Sequence, residues 1–420
     1  MKFKDLEKSG KMCPLPWVGA MVNPGGTFSS CCVQDYLQTN PHSSLANHSL
    51  QEVRNNDYWK NLRKDLINGI EHPSCKSCWH QEKNNNTSLR QIRLDEFKWF
   101  LGDKLLELEV PEDGSLSDET IYFWDVRQTN LCNMKCVMCG PEYSSLWREE
   151  ILKHYNDEFK LTGNAVIDAN QVSKEDFFKD IERGILDVEQ FYFAGGEPLI
   201  SDTHWKILEL LIQHNRTDVR LSYNTNLLKT TFKGKNVMDY WRQFDNVNVG
   251  VSIDCIGTRA EYVRFGTNWK TVNDNFVLLN NTLPDSTALN ITTNILSVGG
   301  LVETIAWAKQ FKYKNEEYNL LANNLVYSPE YFNIKILPNA IKDHIWKNLS
   351  PVLSELKDKR SKTAIEAELF NEVDGDHLYN LRSSFYAAVT KLDKIRRTNV
   401  KYACPELADW IDELKDIYDA

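Results

Sequence analysis

Three cysteines on one short stretch are the first residues whose type and spacing indicate chemistry. They lie in the order Cys132-x3-Cys136-x2-Cys139. Three thiolates on one loop can each bind one iron of a cubane iron–sulfur cluster. The fourth iron is then open to another ligand, as metal positions in catalytic sites are. The spacing alone also permits a zinc ion with a distant fourth ligand.

A second group of cysteines lies nearer the amino end. Cys13 and Cys31 are followed, after a gap, by the pair Cys75-x2-Cys78. Together they form a possible four-thiolate site, which on geometry alone suits a zinc ion and an iron–sulfur cluster equally. Cys32 adjoins Cys31 and could replace it as a ligand.

Composition argues against several other classes of protein. With 420 residues the chain is expected to form two domains or more. Its net charge of −10 argues against a broad nucleic-acid-binding surface. We see neither a run of about 18 apolar residues nor a signal peptide, so we expect no membrane span and a cytoplasmic location. In that reducing compartment, clustered cysteines bind metal more often than they form disulfides.

Alternating strands and helices must position the first cysteine loop. This alternation predicts an α/β fold with a parallel sheet, and six units make a partial (β/α)6 barrel. Polar and apolar residues alternate along several strands, which indicates a polar interior; an antiparallel sheet with one solvated face is the alternative. The predicted strands are residues 122–129, 190–195, 220–225, 248–254, 290–296 and 332–337.

Four segments are predicted along the chain. A cysteine-rich domain covers residues 1–85, and a bridging helix and linker cover residues 86–118. The partial barrel covers residues 119–340, and a carboxyl-terminal helical extension covers residues 341–420.

The stretch IYFWDVRQTNLCNMKCVMCG, a strand followed by the cysteine loop, resembles the signature of the radical S-adenosylmethionine (SAM) superfamily. The resemblance extends over residues 122–338. It implies a catalytic [4Fe–4S] cluster held by Cys132, Cys136 and Cys139. It further implies reductive cleavage of SAM to a 5′-deoxyadenosyl radical.

Further motifs resemble those with which this superfamily binds SAM. The turn Gly195-Gly196-Glu197-Pro198 is similar to its GGEP motif, and bare glycines allow close backbone approach. Cys255 departs from the pattern, because the family usually has glycine there; a small inert side chain is the simpler interpretation and a substrate-side thiol the other. The SAM-binding residues that the resemblance implies are Gly195, Gly196, Glu197, Asn224, Asn226, Ser252, Asp254 and Arg264.

The amino-terminal cysteines resemble those of the twitch domain, a shortened SPASM domain that carries an auxiliary [4Fe–4S] cluster. The resemblance implies that Cys13, Cys31, Cys75 and Cys78 are its four ligands. The twitch domain usually follows the barrel, whereas here it precedes it.

The resemblance implies an enzyme whose radical abstracts hydrogen from a substrate. A peptide or protein is the expected substrate, and a small molecule such as a sugar or cofactor precursor is the alternative. A reductase, or a flavodoxin- or ferredoxin-type protein, would supply electrons. A non-catalytic zinc-binding interaction protein is the alternative from another class.

Overall fold

The computed structural model of the protein describes residues 1–84, 87–311, 322–356 and 359–419. Contacts divide the chain into two compact units, each assembled from stretches that are separate in sequence. The four segments predicted from the sequence stay a prediction. Unit 1 comprises Met1–Cys132, Pro141–Tyr223 and Asp239–Val247, and unit 2 comprises Asn133–Gly140, Asn224–Met238 and Asn248–Ala420.

The strands of the described residues are short, and most belong to parallel pairs. They are β1 (Gly19–Asn23), β2 (Thr27–Ser29), β3 (Phe123–Val126), β4 (Gln190–Phe193), β5 (Arg220–Thr225), β6 (Thr231–Phe232), β7 (Lys235–Asn236), β8 (Val247–Ser252), β9 (Thr287–Thr293) and β10 (Ala322–Leu325).

In unit 1 the strand order is β2–β1–β3–β4–β5. Strands β1, β3, β4 and β5 are parallel to their neighbours, and only β2 runs antiparallel, against β1. The cysteine-rich amino-terminal part therefore adds a strand directly beside the first strand of the predicted barrel. The sequence analysis did not anticipate this pairing, because hydrogen bonds between distant segments leave no local pattern in the sequence.

In unit 2 the strand order is β8–β9–β10, and both pairs are parallel. Buried and half-buried residues alternate along β9, and the same alternation runs along β5 in sequence. The predicted α/β class with parallel strands is confirmed. The antiparallel alternative is wrong. The pairs β3–β4, β4–β5, β8–β9 and β9–β10 are all parallel.

The strand predicted at residues 332–337 is wrong. Glu330–Phe332 and Ile334–Ile336 form short 3-10 turns, and β10, which pairs in parallel with β9, follows β9 as the next strand instead. Phe332, Ile334 and Ile336 are all buried, which imitates the two-residue period of a strand. The N–H groups of Phe332 and Ile336 donate instead to the carbonyl oxygens three residues before them, those of Pro329 and Asn333, at 3.0 and 3.5 Å.

Helices connect the strands of both units and form the carboxyl-terminal extension. Among the described helices, none combines the length and the apolar character needed to cross a membrane. They are α1 (Leu15–Val18), α2 (Tyr36–Thr39), α3 (Leu50–Arg54), α4 (Asp57–Ile67), α5 (Lys76–Lys83), α6 (Leu89–Leu101), α7 (Asp103–Leu106), α8 (Ser145–His154), α9 (Asn156–Phe159), α10 (Ala169–Val172), α11 (Phe177–Arg183), α12 (Asp202–Gln213), α13 (Val237–Trp241), α14 (Gly257–Val263), α15 (Trp269–Thr282), α16 (Leu301–Ala308), α17 (Asn339–Glu355), α18 (Arg360–Leu369), α19 (Gly375–Arg396), α20 (Val400–Ala403) and α21 (Ala408–Tyr418).

The longest helix of the extension, α19, has an apolar stripe. Its buried residues include Phe385, Val389, Leu392 and Arg396, spaced three or four residues apart as one helix face requires. Phe385 stacks on Trp410 of α21, with ring centroids 5.4 Å apart. The stripe fixes the carboxyl end of α19, including Arg396, inside unit 2.

Candidate active site and iron–sulfur sites

In unit 1, the glycine turn after β4 packs against the segment that leads into Cys132. Gly195 has a φ angle of +99°, and a Cβ atom there would lie 2.7 Å from Cβ of Arg127. A Cβ atom on Gly196 would lie 2.2 Å from the carbonyl oxygen of Leu131. Both positions therefore require glycine. In unit 1, these two glycines closely approach Arg127 and Leu131 of the same chain.

Glu197 continues this turn and is 2% exposed. Its N–H group donates to the carbonyl oxygen of Leu131 at 2.8 Å, and its carboxylate accepts a hydrogen bond from the Leu199 N–H group at 3.1 Å. Glu197 thus caps the 3-10 turn Pro198–Ile200. Its predicted contact with SAM stays a prediction.

In unit 2, the remainder of the cysteine loop is held by the segment after α14. The N–H groups of Lys135 and Val137 donate to the carbonyl oxygens of Phe265 and Val263, both at 2.8 Å. Gly266 has a φ angle of +105°, and a Cβ atom there would lie 3.1 Å from the carbonyl oxygen of Asn133. Residues 263–266 therefore form a backbone support for the loop that carries Cys136 and Cys139.

Asp254 and Arg264, two of the predicted SAM ligands, bind each other. The guanidinium Nη2 and Nε atoms lie 2.9 Å from Oδ1 and 2.8 Å from Oδ2 of Asp254. Oδ1 also accepts a hydrogen bond from the Thr292 N–H group at 2.7 Å. The side chain of Asp254 is 0% exposed and that of Arg264 is 14% exposed. Oδ1 of Asp254 thus accepts two hydrogen bonds within unit 2, whereas Oδ2 and the Arg264 Nε atom are buried and, although 2.8 Å apart, form no hydrogen bond.

Arg264 also reaches the cysteine loop, where its Nη1 atom lies 3.9 Å from Sγ of Cys136. Burial by itself would lower the pKa of Arg264, but Asp254 outweighs that effect and the pKa is raised. The side chain is therefore a permanent cation beside a sulfur atom. Burial also raises the pKa of the Cys136 thiol, and the positive charges of Arg264 and Arg396 oppose this rise.

Arg396 is a charged neighbour of this loop that the sequence analysis missed. It is 8% exposed, and its guanidinium carbon lies 5.0 Å from the ring centroid of Phe265. Nζ of Lys135 lies 5.2 Å from the same ring. Phe265 thereby brings two cations to the segment that supports Cys136. No local motif identifies Arg396, because its position depends on how α19 packs.

The remaining predicted SAM ligands lie at the ends of β5 and β8. Asn224 and Ser252 are half-buried, on the polar faces of their strands. Asn226 is 8% exposed, and its side-chain amide donates to Oδ1 of Asn133 at 2.7 Å. Asn226 therefore links the end of β5 to the cysteine loop, while Asn224 and Ser252 keep partly accessible side chains.

In unit 1, Cys13, Cys31, Cys75 and Cys78 line one cavity. Cys32, the alternative ligand, is exposed and does not line it. We call this the four-cysteine cavity. Four sulfur donors around one space fit an iron–sulfur cluster. Among the described residues, no three His, Cys, Asp or Glu side chains surround a position for a single metal ion.

The four-cysteine cavity disfavours free thiolates. Burial and the neighbouring Cys78 raise the pKa of Cys75 to about 12. Burial, and then Cys75, likewise raises the pKa of Cys13. Arg90 also lines the cavity, and both oxygens of the Glu82 carboxylate bind its guanidinium group, at 2.9 and 2.7 Å. Thiols arranged in this way ionise when a cationic metal centre binds them, so the donor set fits such a centre.

Two family profiles match the chain. The radical SAM superfamily profile matches residues 126–309, and the SPASM profile, described as an iron–sulfur cluster-binding domain, matches residues 13–79. The first match includes the cysteine loop, and the second includes all four cysteines of the four-cysteine cavity. No curated protein sequence matches the chain.

Solved structures also match, at low similarity. A structure of anSMEcpe with bound AdoMet shares 18% identity at a TM-score of 0.37, covering 56% of this chain and 58% of that one. Streptococcus suis SuiB bound to the precursor peptide SuiA shares 12% identity at a TM-score of 0.37, covering 73% and 62%. The chain thus spans less than two thirds of either protein. Likeness at these values supports no inference about activity.

Proposed function

We propose a function from the premise that this chain belongs to the radical SAM superfamily through residues 126–309 and carries a SPASM domain at residues 13–79. Membership implies an enzyme with a [4Fe–4S] cluster and SAM, and the SPASM domain implies a further iron–sulfur cluster. The proposed reaction is reductive cleavage of SAM followed by hydrogen abstraction from a peptide or protein. The bound cluster supplies the electron that splits SAM into methionine and a 5′-deoxyadenosyl radical.

One observation carries the proposal: each matched domain contains its own set of cysteines. The radical SAM match includes Cys132, Cys136 and Cys139, and the SPASM match includes the four-cysteine cavity. A set of three leaves one iron open to SAM, whereas a set of four leaves none open. The two sets are therefore assigned different tasks, SAM cleavage and electron transfer.

In the proposed site, the chain's own residues hold and orient the bound groups. Arg264 places positive charge beside Cys136, and residues 263–266 fix the loop. In unit 2, the half-buried Asn224 and Ser252 are the proposed SAM contacts. In unit 1, backbone groups of Gly195 and Gly196 stay predicted SAM contacts. Asp254 acts as a positioning residue that holds Arg264 in place. The side chains of Glu197 and Asn226 bond to the turn and to the cysteine loop. Only those of their polar atoms that these bonds leave accessible are proposed to contact SAM.

The four cysteines of the SPASM domain are proposed to hold an auxiliary [4Fe–4S] cluster that takes an electron from the substrate radical. A reductase, or a flavodoxin- or ferredoxin-type protein, is the proposed donor to the enzyme. The peptide or protein substrate is proposed from the superfamily members that carry SPASM or twitch domains, which is an argument by analogy.

Iron content and SAM cleavage test the assignment of the two cysteine sets. The anaerobically purified chain should bind about eight irons, as two cubane clusters require. Replacing Cys132, Cys136 and Cys139 together by Ala should remove about half of the iron and all formation of 5′-deoxyadenosine. Replacing Cys13, Cys31, Cys75 and Cys78 together by Ala should remove the other half, while the matched variant Cys32→Ala retains it. Zinc in place of iron, or normal turnover by the triple variant, would refute the assignment.

The substrate class is tested by isotope transfer. An extract of cells grown in D2O is separated into a dialysable fraction and a retained fraction of peptides and proteins. Each fraction is incubated with the enzyme, SAM and a reductant, and deuterium in 5′-deoxyadenosine is measured by mass spectrometry. The proposal expects deuterium from the retained fraction. Transfer from the dialysable fraction alone would favour a small-molecule substrate and overturn the peptide assignment.

A further inference from the structure

A second cavity lies in unit 2, outside both matched domains. It has a volume of about 940 Å³, including its open mouth. Lys342 and Arg382 contribute positive charge to its lining, and Leu337 and Phe370 contribute apolar surface. We call it the helix-α17 cavity, because the amino end of α17 forms part of its wall. Nothing in the proposed radical chemistry uses these residues.

Lys342 is the most unusual residue of the helix-α17 cavity. It is 7% exposed, and no carboxylate of the described residues lies within 4.0 Å of its amino group. Burial lowers the pKa of Lys342, the charge of Arg382 lowers it further, and Asp343 acts in the opposite direction. The side chain of Lys342 is therefore largely covered, while its amino nitrogen stays in contact with the open space of the cavity that it lines. With no carboxylate beside it, this ammonium group is available to an anion.

Arg382 is held rigidly in the same wall. Its Nε atom donates to the carbonyl oxygen of Ile336 at 2.8 Å, and its guanidinium carbon lies 5.7 Å from the ring of Trp410. Among the described residues, its two terminal amino groups have no acceptor. The guanidinium plane is therefore positioned before any ligand binds, with its paired donors available.

The amino end of α17 adds backbone donors. The helix is 17 residues long, and its N-cap residue, Pro338, provides no side-chain cap. Lys342 lies in the first turn of this helix, where the helix dipole repels a cation. An anion at the same place would be favoured by the dipole, by the uncapped N–H groups and by Lys342.

The acidic residues around the helix-α17 cavity do not neutralise these cations. Asp343 and Glu372 line the cavity but are exposed to solvent. The third cation of the lining, Lys335, is paired with Glu330 at 2.6 Å. Lys342 and Arg382 therefore remain the two cations of this lining that form no ion pair with a carboxylate of the described residues.

We propose that the helix-α17 cavity binds the phosphate group of a small phosphorylated molecule. Two cations and a helix amino end match a doubly charged group with three terminal oxygens better than a carboxylate, which has one charge and two oxygens. The cavity of about 940 Å³ is much larger than a phosphate ion, and Leu337 and Phe370 provide apolar wall for the rest of the ligand. This site is independent of the radical chemistry.

The test measures binding of inorganic phosphate, AMP and acetate to the purified full-length protein by calorimetry. Phosphate and AMP should bind and acetate should not. Lys342→Met and Arg382→Met should each weaken phosphate binding by about ten-fold or more, because each removes a charged hydrogen-bond donor. The matched control is Lys347→Met, which changes an exposed lysine of the same helix. Tighter binding of AMP than of phosphate would identify a nucleotide-like ligand, and equal binding would identify the phosphate group alone.

Thermal melting gives a second readout that does not depend on calorimetry. Without ligand, Lys342→Met should melt at a higher temperature than the wild type, because partial burial and the charge of Arg382 disfavour the ammonium group and Met keeps the side-chain length. Phosphate should raise the melting temperature of the wild type and of Lys347→Met but not that of Lys342→Met. Absence of phosphate binding by the wild type, or unchanged binding by Lys342→Met, would overturn the proposal. Formation of 5′-deoxyadenosine, measured in parallel, reports separately on the proposed radical function.

Discussion

At the scale of single residues, charge pairing changes the roles expected of Asp254 and Arg264. Asp254 and Arg264 were predicted as two separate ligands of SAM, yet each is the other's main partner. The pair lets one arginine reach Cys136 while a buried carboxylate holds it in place. The predicted SAM contacts of Asn224 and Ser252, whose side chains are half-buried, do not involve this ion pair and stay a prediction.

The Asp254–Arg264 pair should show strong coupling. Asp254→Asn and Arg264→Gln should each destabilise the apoprotein by about 3–5 kcal/mol, because each leaves a buried charge without its partner. The double variant should lose much less than the sum, as measured from urea unfolding in a double-mutant cycle.

The exposed pair Lys401–Asp412 is the matched control for this cycle. Its atoms lie 2.8 Å apart, but its side chains are 38% and 60% exposed. Solvent screens such a pair, so its coupling should be about 1 kcal/mol or less. Additive effects of the Asp254 and Arg264 substitutions would contradict the structural assignment.

The positive charge of Arg396 should make the proposed catalytic cluster easier to reduce. Arg396→Gln should lower the reduction potential of the catalytic cluster, on the order of tens of millivolts, because it removes a buried cation near Cys136. The measurement is a redox titration followed by electron paramagnetic resonance. Lys394→Gln, on the exposed side of the same helix, should leave the potential unchanged. An unchanged potential in Arg396→Gln, with its cluster intact, would show that Arg396 only fills space.

At the scale of elements, short turns hold the cysteine loop more than the strands do. The glycine turn after β4 contacts residues 127–131. Residues 263–266 contact the loop segment Asn133–Gly140. Both turns contain a glycine that the adjacent backbone approaches closely. Loop geometry is therefore set by contacts within each unit before any cluster binds.

Gly196→Ala tests this dependence. The new methyl group would lie 2.2 Å from the carbonyl oxygen of Leu131, so the turn and the segment before Cys132 must separate. Iron retention at the catalytic site and the rate of SAM cleavage should both fall, the latter about ten-fold or more. Gly25→Ala is the control, because no atom lies within 4 Å of its added carbon. Normal activity of Gly196→Ala would show that the contact is dispensable.

At the scale of the whole molecule, metal binding should contribute to stability. The four-cysteine cavity brings together residues from Cys13 to Cys78, so a cluster there would connect several elements of unit 1. Binding that occurs only in the folded state stabilises that state.

Removal of the auxiliary metal should therefore lower the melting temperature. Chelator-treated protein should melt below the loaded protein, measured anaerobically by differential scanning fluorimetry. Cys75→Ala/Cys78→Ala should show only a small change in melting temperature on treatment, because it retains the catalytic cluster alone. The triple variant of the cysteine loop should retain most of the difference. Equal melting temperatures of metal-loaded and metal-stripped wild-type protein would contradict the proposal that a cluster bound in the four-cysteine cavity stabilises the fold.

Much of the site could be predicted from sequence because its signals are local. The spacing of Cys132, Cys136 and Cys139, the glycine turn and the alternation along the strands each lie within a few neighbouring residues. Backbone sterics and side-chain periodicity act over that same range. The sequence by itself therefore determined the α/β class, the superfamily and the cysteines that line the four-cysteine cavity.

Only the tertiary structure decided which charges meet. The pairing of Asp254 with Arg264, the placement of Arg396 beside Phe265, and the addition of β1 next to β3 depend on contacts between separate segments. Residues 332–337 show the same limit, because a buried apolar alternation suits both a strand and a pair of 3-10 turns. The free energy of such contacts depends on three-dimensional packing, which no short stretch of sequence encodes.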